Sequence, residues 1–124
     1  MMRLLDTNSC IYVFTGVYPA LIARMADQVA GSLFISSITY AELAYGTMRG
    51  KPPASDALAA FVAEVGILPF DEAAAQAYAA MPFRRGSFDR LIAAHALSLN
   101  AALVSRNLAD FKDIPGLRVE DWTH

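Results

Sequence analysis

The residues best suited to chemistry are Asp6, Glu42, Asp89 and Asn107, oxygen donors spread along the chain. Each stands near a junction between a short apolar run and a helical pattern. Asp6 follows Leu4-Leu5, Glu42 comes shortly after the run from Leu33 to Ser36, Asp89 precedes Leu91-Ile92-Ala93, and Asn107 follows Leu103-Val104. Each also has an ordinary structural role when taken singly. Asp6 serves as a cap for a helix starting near Asn8. Thr39-Tyr40-Ala41-Glu42 matches a capping box, with Glu42 bonding back to the backbone of Thr39. Asp89, shortly after Ser87, complements a helix dipole, and Asn107 suits a turn. Taken jointly, three carboxylates brought to one place repel one another unless something positive sits among them. No lysine lies near any of them, the chain's lysines being Lys51 and Lys112. Clustered hard oxygen donors without neutralising lysines suit Mg²⁺ or Mn²⁺, which are held by one or two carboxylates plus waters and substrate phosphates.

Such a convergence requires elements that deliver all four groups to one edge. Met2 to Leu5 reads as a short buried strand, followed by a helix from about Asn8. Leu33 to Ser36 is a second strand and Thr39 to Thr47 a second helix, ending near Gly46 or Gly50. Leu58, Phe61, Val62 and Val65 recur at helical spacing, so Asp56 to Val65 is an amphipathic helix. Gly66 to Phe70 is a third strand, and Asp71 caps an alanine-rich helix to about Met81. Phe88 to Leu99 is a further helix, Ala102 to Ser105 a fourth strand, and Arg118-Val119 marks a fifth. Short apolar runs alternating with helices predict an α/β domain, a mainly parallel sheet covered on both faces. In such a sheet every strand ends, and every following helix begins, at the same edge. Asp6, Glu42 and Asp89, the latter two in the first turns of their helices, and Asn107 all fall at that carboxyl edge, where open α/β sheets place their ligand crevice. The order of the strands is not readable from the pattern.

Arg84, Arg85, Arg90 and Arg106 flank Asp89 and Asn107 in sequence. Guanidinium forks suit bidentate phosphate contact, and equally suit salt bridges on a solvated loop. His95 lies on a different helix face from Asp89 and reads as a core histidine, and Cys10 as a small buried apolar residue. Tyr40, Tyr45 and Met48 serve either a core or a partner-facing surface. The chain has 124 residues, 56% hydrophobic and 18% charged, which suits a single domain over residues 1–124 and excludes disorder. A net charge of −2 excludes a protein that holds nucleic acid by bulk positive charge, but not one that holds phosphates through bound metal. No apolar stretch is long enough for a membrane helix, and Asp6 interrupts the start too early for a signal peptide. The lone Cys10 fits a reducing cytoplasm.

At these residues the sequence resembles PIN-domain ribonucleases, specifically the VapC toxins of type II toxin–antitoxin modules. The matching pieces are Leu5-Asp6-Thr7-Asn8-Ser9-Cys10-Ile11-Tyr12, Ile35-Ser36-Ser37-Ile38-Thr39-Tyr40-Ala41-Glu42-Leu43 and Leu68-Pro69-Phe70-Asp71 with its alanine-rich helix. Phe88-Asp89-Arg90-Leu91-Ile92-Ala93-Ala94-His95-Ala96-Leu97, Leu103-Val104-Ser105-Arg106-Asn107-Leu108-Ala109-Asp110-Phe111 and the ending from Pro115 to Trp122 complete the ordered set. The resemblance implies a five-stranded parallel PIN-like sheet and Mg²⁺- or Mn²⁺-dependent endonucleolytic cleavage of RNA. It further implies a small VapB-like antitoxin that blocks the site, a toxin homodimer, and a larger assembly with the antitoxin. Carried over by position, Asp6 and Asp89 are metal ligands and Glu42 the third essential acid, itself a metal ligand or the group that positions or deprotonates water. Asn107 falls where many members have a fourth acid and others an asparagine, with Asp110 close behind. Thr7 and Ser105 support the acids by hydrogen bonds.

One departure stands out. Family members usually carry a longer helix and loop before the aspartate matching Asp89, whereas here only Pro82 to Phe88 intervene. The shortening keeps the acids but alters one wall of the crevice. A phosphotransfer receiver would need adjacent acids near the first strand and a lysine after a late strand, and neither is present. The rival readings are a housekeeping PIN nuclease of RNA processing and a catalytically silent PIN-like binding module, the latter disfavoured because Asp6, Glu42 and Asp89 are all retained.

Overall fold

Strand segments of only two to four residues can be buried on both faces only if helices cover each side, and that is how this chain is built. The computed structural model describes residues 1–85 and 88–124. Strands β1 (Arg3–Leu5), β2 (Leu33–Ser36), β3 (Gly66–Leu68), β4 (Ala102–Val104) and β5 (Val119–Glu120) form one five-stranded sheet in the order β3-β2-β1-β4-β5. Every pairing is parallel. Leu5 stands opposite Val104, Ser36 opposite Leu68 and Val104 opposite Glu120, so the strands end together at one edge.

Successive residues point to opposite faces and so feed two separate cores. Leu5 and Val104 join Cys10, Leu21, Ile35, Leu43, Leu58 and Trp122 on one side. Leu4 and Leu103 join Ile92, Ala93, Ala96, Phe111 and Ile114 on the other. The first face is covered by α1 (Thr7–Thr15), α2 (Pro19–Ala26) and α4 (Ser55–Glu64), the second by α6 (Asp89–Ser98). Helix α5 (Glu72–Ala80) packs on α6, while α3 (Ser37–Met48) contributes Leu43 to one core and Ile38 to the other. Among the described residues, no single helix is long and apolar enough to cross a membrane.

Most of the expected elements are present within a residue or two, and Asp71 caps α5 as expected, its Oδ1 accepting from Ala74 N at 3.0 Å. Three differences matter. Helix α2 was not expected, since its starting residue Tyr18 makes no capping bond and only Leu21 is buried; Pro19 at the first position is the sequence mark of its start. A 3₁₀ turn over Leu108–Phe111 was likewise not expected. Finally, α3 begins at Ser37, because Ser36 Oγ accepts from Ile38 N at 3.1 Å and acts as the cap. The Thr39 capping box therefore does not form. Thr39 is buried inside the helix, and Glu42 lies one turn further in than the first turn.

Candidate active site

The strand order puts β2 on one side of β1 and β4 on the other, so the direction in which strands are added to the sheet reverses beside β1. A crevice opens at such a switch point, outside the carboxyl ends of the strands. Asp6 and Asn107 follow those ends. Asp6 is 3% exposed, and its Oδ1 accepts from Ser9 N at 2.8 Å, capping α1. The capping role is thus real, and it does not exhaust the carboxylate, which also lines a concavity with Asn8, Tyr12, Ser105, Arg106 and Asn107. The turn after β4 is shaped by buried Ser105, whose Oγ accepts from Asn107 N at 3.1 Å. Asn107 in turn donates through Nδ2 to Asp110 Oδ2.

Glu42 and Asp89 line a neighbouring concavity of about 380 Å³ together with Thr7 and Asn8, so Asn8 is a wall common to both. Thr7 Oγ1 donates to Glu42 Oε1 at 2.6 Å and lies 3.3 Å from the Thr39 hydroxyl, which ties α1 to α3 beneath the acid. Burial pushes the Glu42 carboxyl above its ordinary range. The Thr7 hydrogen bond opposes that rise, while the nearby charges of Asp89 and Asp6 add to it. Asp89 is the first residue of α6, whose cap position, Phe88, makes no side-chain bond; the Ser87 side of that helix start lies outside the described residues.

The flanking arginines divide. Arg90 is 6% exposed and forks onto Asp113 at 2.8 and 2.9 Å, with further bonds to the carbonyls of Pro82 and Asp110. Arg84 also pairs with Asp113, at 3.5 Å. These two therefore hold the fold, while Arg106, 5.4 Å from the Tyr18 ring centre, lines the concavity of Asp6 and Asn107. His95 is buried as expected, with Nδ1 2.8 Å from Ser36 Oγ and its ring edge-on to Phe70. Burial lowers its pKa, and the Asp71 charge partly offsets this. Cys10 is fully buried, and burial first, then the Asp6 charge, pushes its thiol up, so it is not a nucleophile.

The expectation that no lysine lies near the acids is corrected by the structure. Lys51 and Arg49, beyond the end of α3, line the same concavity as Glu42 and Asp89. Sequence distance hid them, because the chain turns back after Gly50. Asn8 was also missed.

Among the described residues no three His, Cys, Asp or Glu side chains converge tightly enough to cage a metal by themselves. The donor chemistry fits a looser arrangement. Glu42 feels both Asp89 and Asp6 as like charges, and a Mg²⁺-type cation needs only one or two carboxylates, completing its shell with water and substrate oxygens.

Fold and site together define an open parallel α/β domain whose switch point carries acids and flanking cations in adjoining concavities. The chain belongs to the PIN domain family, whose model matches residues 3–117. It is 35% identical to the tRNA(fMet)-specific endonuclease VapC of Shigella flexneri, over 97% of each chain. It is 32% identical to Ribonuclease VapC2 of Rickettsia felis over 98% of each. Among solved structures, VapBC-1 from nontypeable Haemophilus influenzae is similar with a TM-score of 0.83 and 31% identity over the whole of both chains. The VapBC2 structure from Rickettsia felis, bound to a DNA fragment from their promoter, gives a TM-score of 0.83 and 30% identity, covering 98% of this chain and 99% of that one.

Proposed function

We propose that this protein is an endoribonuclease that cleaves RNA with a divalent cation, Mg²⁺ or Mn²⁺, and acts as the toxin of a toxin–antitoxin pair. The observation that carries the reading is that Asp6, Glu42 and Asp89, from three separate elements, line two adjoining concavities that share Asn8, where Glu42 feels the charge of both aspartates. Like charges brought this near one another weaken a fold, and a bound cation would offset that cost. Full-length relatives named as ribonucleases support the RNA substrate.

Asp6 and Asp89 are the residues to hold the cation, with Glu42 within reach. When bound, the cation supplies Lewis acidity toward the phosphodiester and acidifies water in its reach. Glu42 accepts the proton of the attacking water. Thr7 fixes Oε1 of Glu42, and the raised pKa makes its carboxylate a better base once ionised. Asn107 is held by Asp110 through its amide nitrogen, which leaves its carbonyl oxygen as a neutral donor beside Asp6.

The partner is a VapB-like antitoxin. Ile38, Ala41, Tyr45 and Phe88 form an apolar groove against Glu42, suited to an amphipathic segment that carries a basic side chain in among Asp6, Glu42 and Asp89. The solved VapBC structures support such a pairing, and the proposed assembly includes a toxin homodimer. Incubating the purified chain with single-stranded RNA tests the activity: cleavage with Mg²⁺ or Mn²⁺ and none in EDTA is expected. Full cleavage in EDTA would end the metal reading.

A further inference from the structure

We propose that the turn ending α3 is a substrate clamp, in which Arg49 and Lys51 hold an RNA phosphate next to the one being cleaved. The inference rests on the ribonuclease reading and adds to it the group that binds the backbone.

The local sequence builds the turn. Gly50 adopts φ +78°, a left-handed conformation that costs glycine nothing. It allows a paired closure of the helix end: Lys51 N donates to Gly46 O at 2.9 Å and Gly50 N to Thr47 O at 3.1 Å. Thr47 Oγ1 then donates to Pro53 O at 2.6 Å, which pins the outgoing chain to the helix. Lys51 is thereby folded back alongside α3, onto the concavity of Glu42 and Asp89.

The cations on this turn are held ready. The Arg49 guanidinium lies 3.3 Å from the centre of the Tyr45 ring and donates to Tyr45 O at 3.0 Å. Among the described residues, neither Arg49 nor Lys51 forms an ion pair with a carboxylate. That contrasts with Arg3, Arg84 and Arg90, all committed to acids.

One concavity therefore carries negative charge at Glu42 and Asp89 and positive charge at Arg49 and Lys51. An RNA strand laid across it meets both. The acidic end repels a phosphate until a cation is present, so binding needs attraction from elsewhere, and the net charge of −2 offers none in bulk. A planar guanidinium beside a lysine is the chemistry that grips a phosphate diester. A flanking phosphate is gripped equally before and during cleavage, so the clamp acts on binding rather than on the chemical step.

The test compares wild type with the Arg49→Gln/Lys51→Gln double variant, using anisotropy of a labelled single-stranded RNA oligonucleotide in EDTA at varied salt. The slope of log affinity against log salt should fall by about 0.7 for each charge removed, about 1.4 for the pair. With Mg²⁺, KM should rise about tenfold while kcat stays within about twofold. Arg118→Gln, at the opposite edge of the sheet, should change neither, and the Arg49→Lys/Lys51→Arg exchange should restore the slope. Should the double variant fail to fold, exposed Lys51→Gln alone should still lower the slope by about 0.7. An unchanged slope and KM, in an enzyme that still binds and cuts RNA, overturns the clamp alone, even if the variant loses its partner protein. A wild-type chain that neither binds nor cuts RNA overturns the ribonuclease reading along with it.

Discussion

Asp89 and Arg90 are neighbours in sequence, yet their charges meet opposite environments. Arg90 turns inward, forks onto Asp113 and completes its donor set on two carbonyls. The hydrogen bonds from Arg90 hold the Asp113 carboxyl down at about 2. Asp89 faces the crevice instead, where it and Asp6 help burial push Glu42 the other way. One carboxylate is gripped by a guanidinium fork, while Glu42 sits within the field of two other acids. The first arrangement secures the loop before α6 to the turn before β5. The second sets like charges near one another, and the proposed cation site rests on that arrangement.

Replacing the acids should separate these roles most sharply. Asp89→Asn and Asp6→Asn should each lower RNA cleavage by about 10³-fold, since a cation's charge stabilisation amounts to several kcal/mol. Asp6→Asn should not lower the melting temperature of the metal-free protein, because Asn caps Ser9 N as well as Asp does. Added Mn²⁺ should raise the melting temperature of wild type but not of these variants. Loss of folding in Asp6→Asn would make Asp6 a structural residue.

Breaking the other region should do the reverse. Arg90→Met removes a buried fork and should cost on the order of 2–4 kcal/mol in urea unfolding. Rate per folded molecule should fall far less than in the acid variants.

Glu42→Gln keeps the shape and removes the charge. Cleavage should fall by about 10²-fold, while the metal-free melting temperature holds or rises as repulsion is relieved. Normal cleavage by this variant would remove Glu42 from the mechanism.

Thr7→Val has a smaller expected effect, about a tenfold loss of rate. Its signature is in the pH profile. The Thr7 hydrogen bond lowers the Glu42 pKa, so its removal should move the acid limb of the rate profile to higher pH.

The smallest effect is the stability of the metal-free wild type against pH. Glu42 holds its proton more tightly folded than unfolded, so stability should decline as pH rises from the ordinary glutamate value of 4.5 upward. Asp113 has the opposite sign: its contribution is present above 3.8 and lost as pH falls through about 2. Calorimetry across that range would show both limbs in wild type and only the lower one in Glu42→Gln.

Much of this was legible in the sequence. Leu33 to Ser36, Asp71 with its alanine run, and Asp89 ahead of Leu91-Ile92 are local patterns, and local patterns decide local structure. Parallel topology follows from their alternation, and with it the edge to which Asp6, Asp89 and Asn107 belong. Where two local signals competed, the sequence alone was ambiguous. Both Ser36 and Thr39 are good caps, and Ser36 prevailed because β2 ends there, beside His95 and the start of α3. Glu42 was thereby released from the backbone to meet Thr7.

Local pattern alone gave every strand, most of the helices and the edge that three acids share, because a side chain's place along a strand or helix depends mainly on its neighbours in the chain. The uncapped α2 and the 3₁₀ turn lacked such a pattern. Tertiary structure alone decided which charges are compensated. Arg90 finds Asp113, Arg49 and Lys51 reach the acids' concavity, and Asp6 meets Asn107, all because β1 lies between β2 and β4 and α3 is closed by Gly50. Electrostatic energy depends on separation in space, and only the packed strand order and the helix-ending turn set those separations.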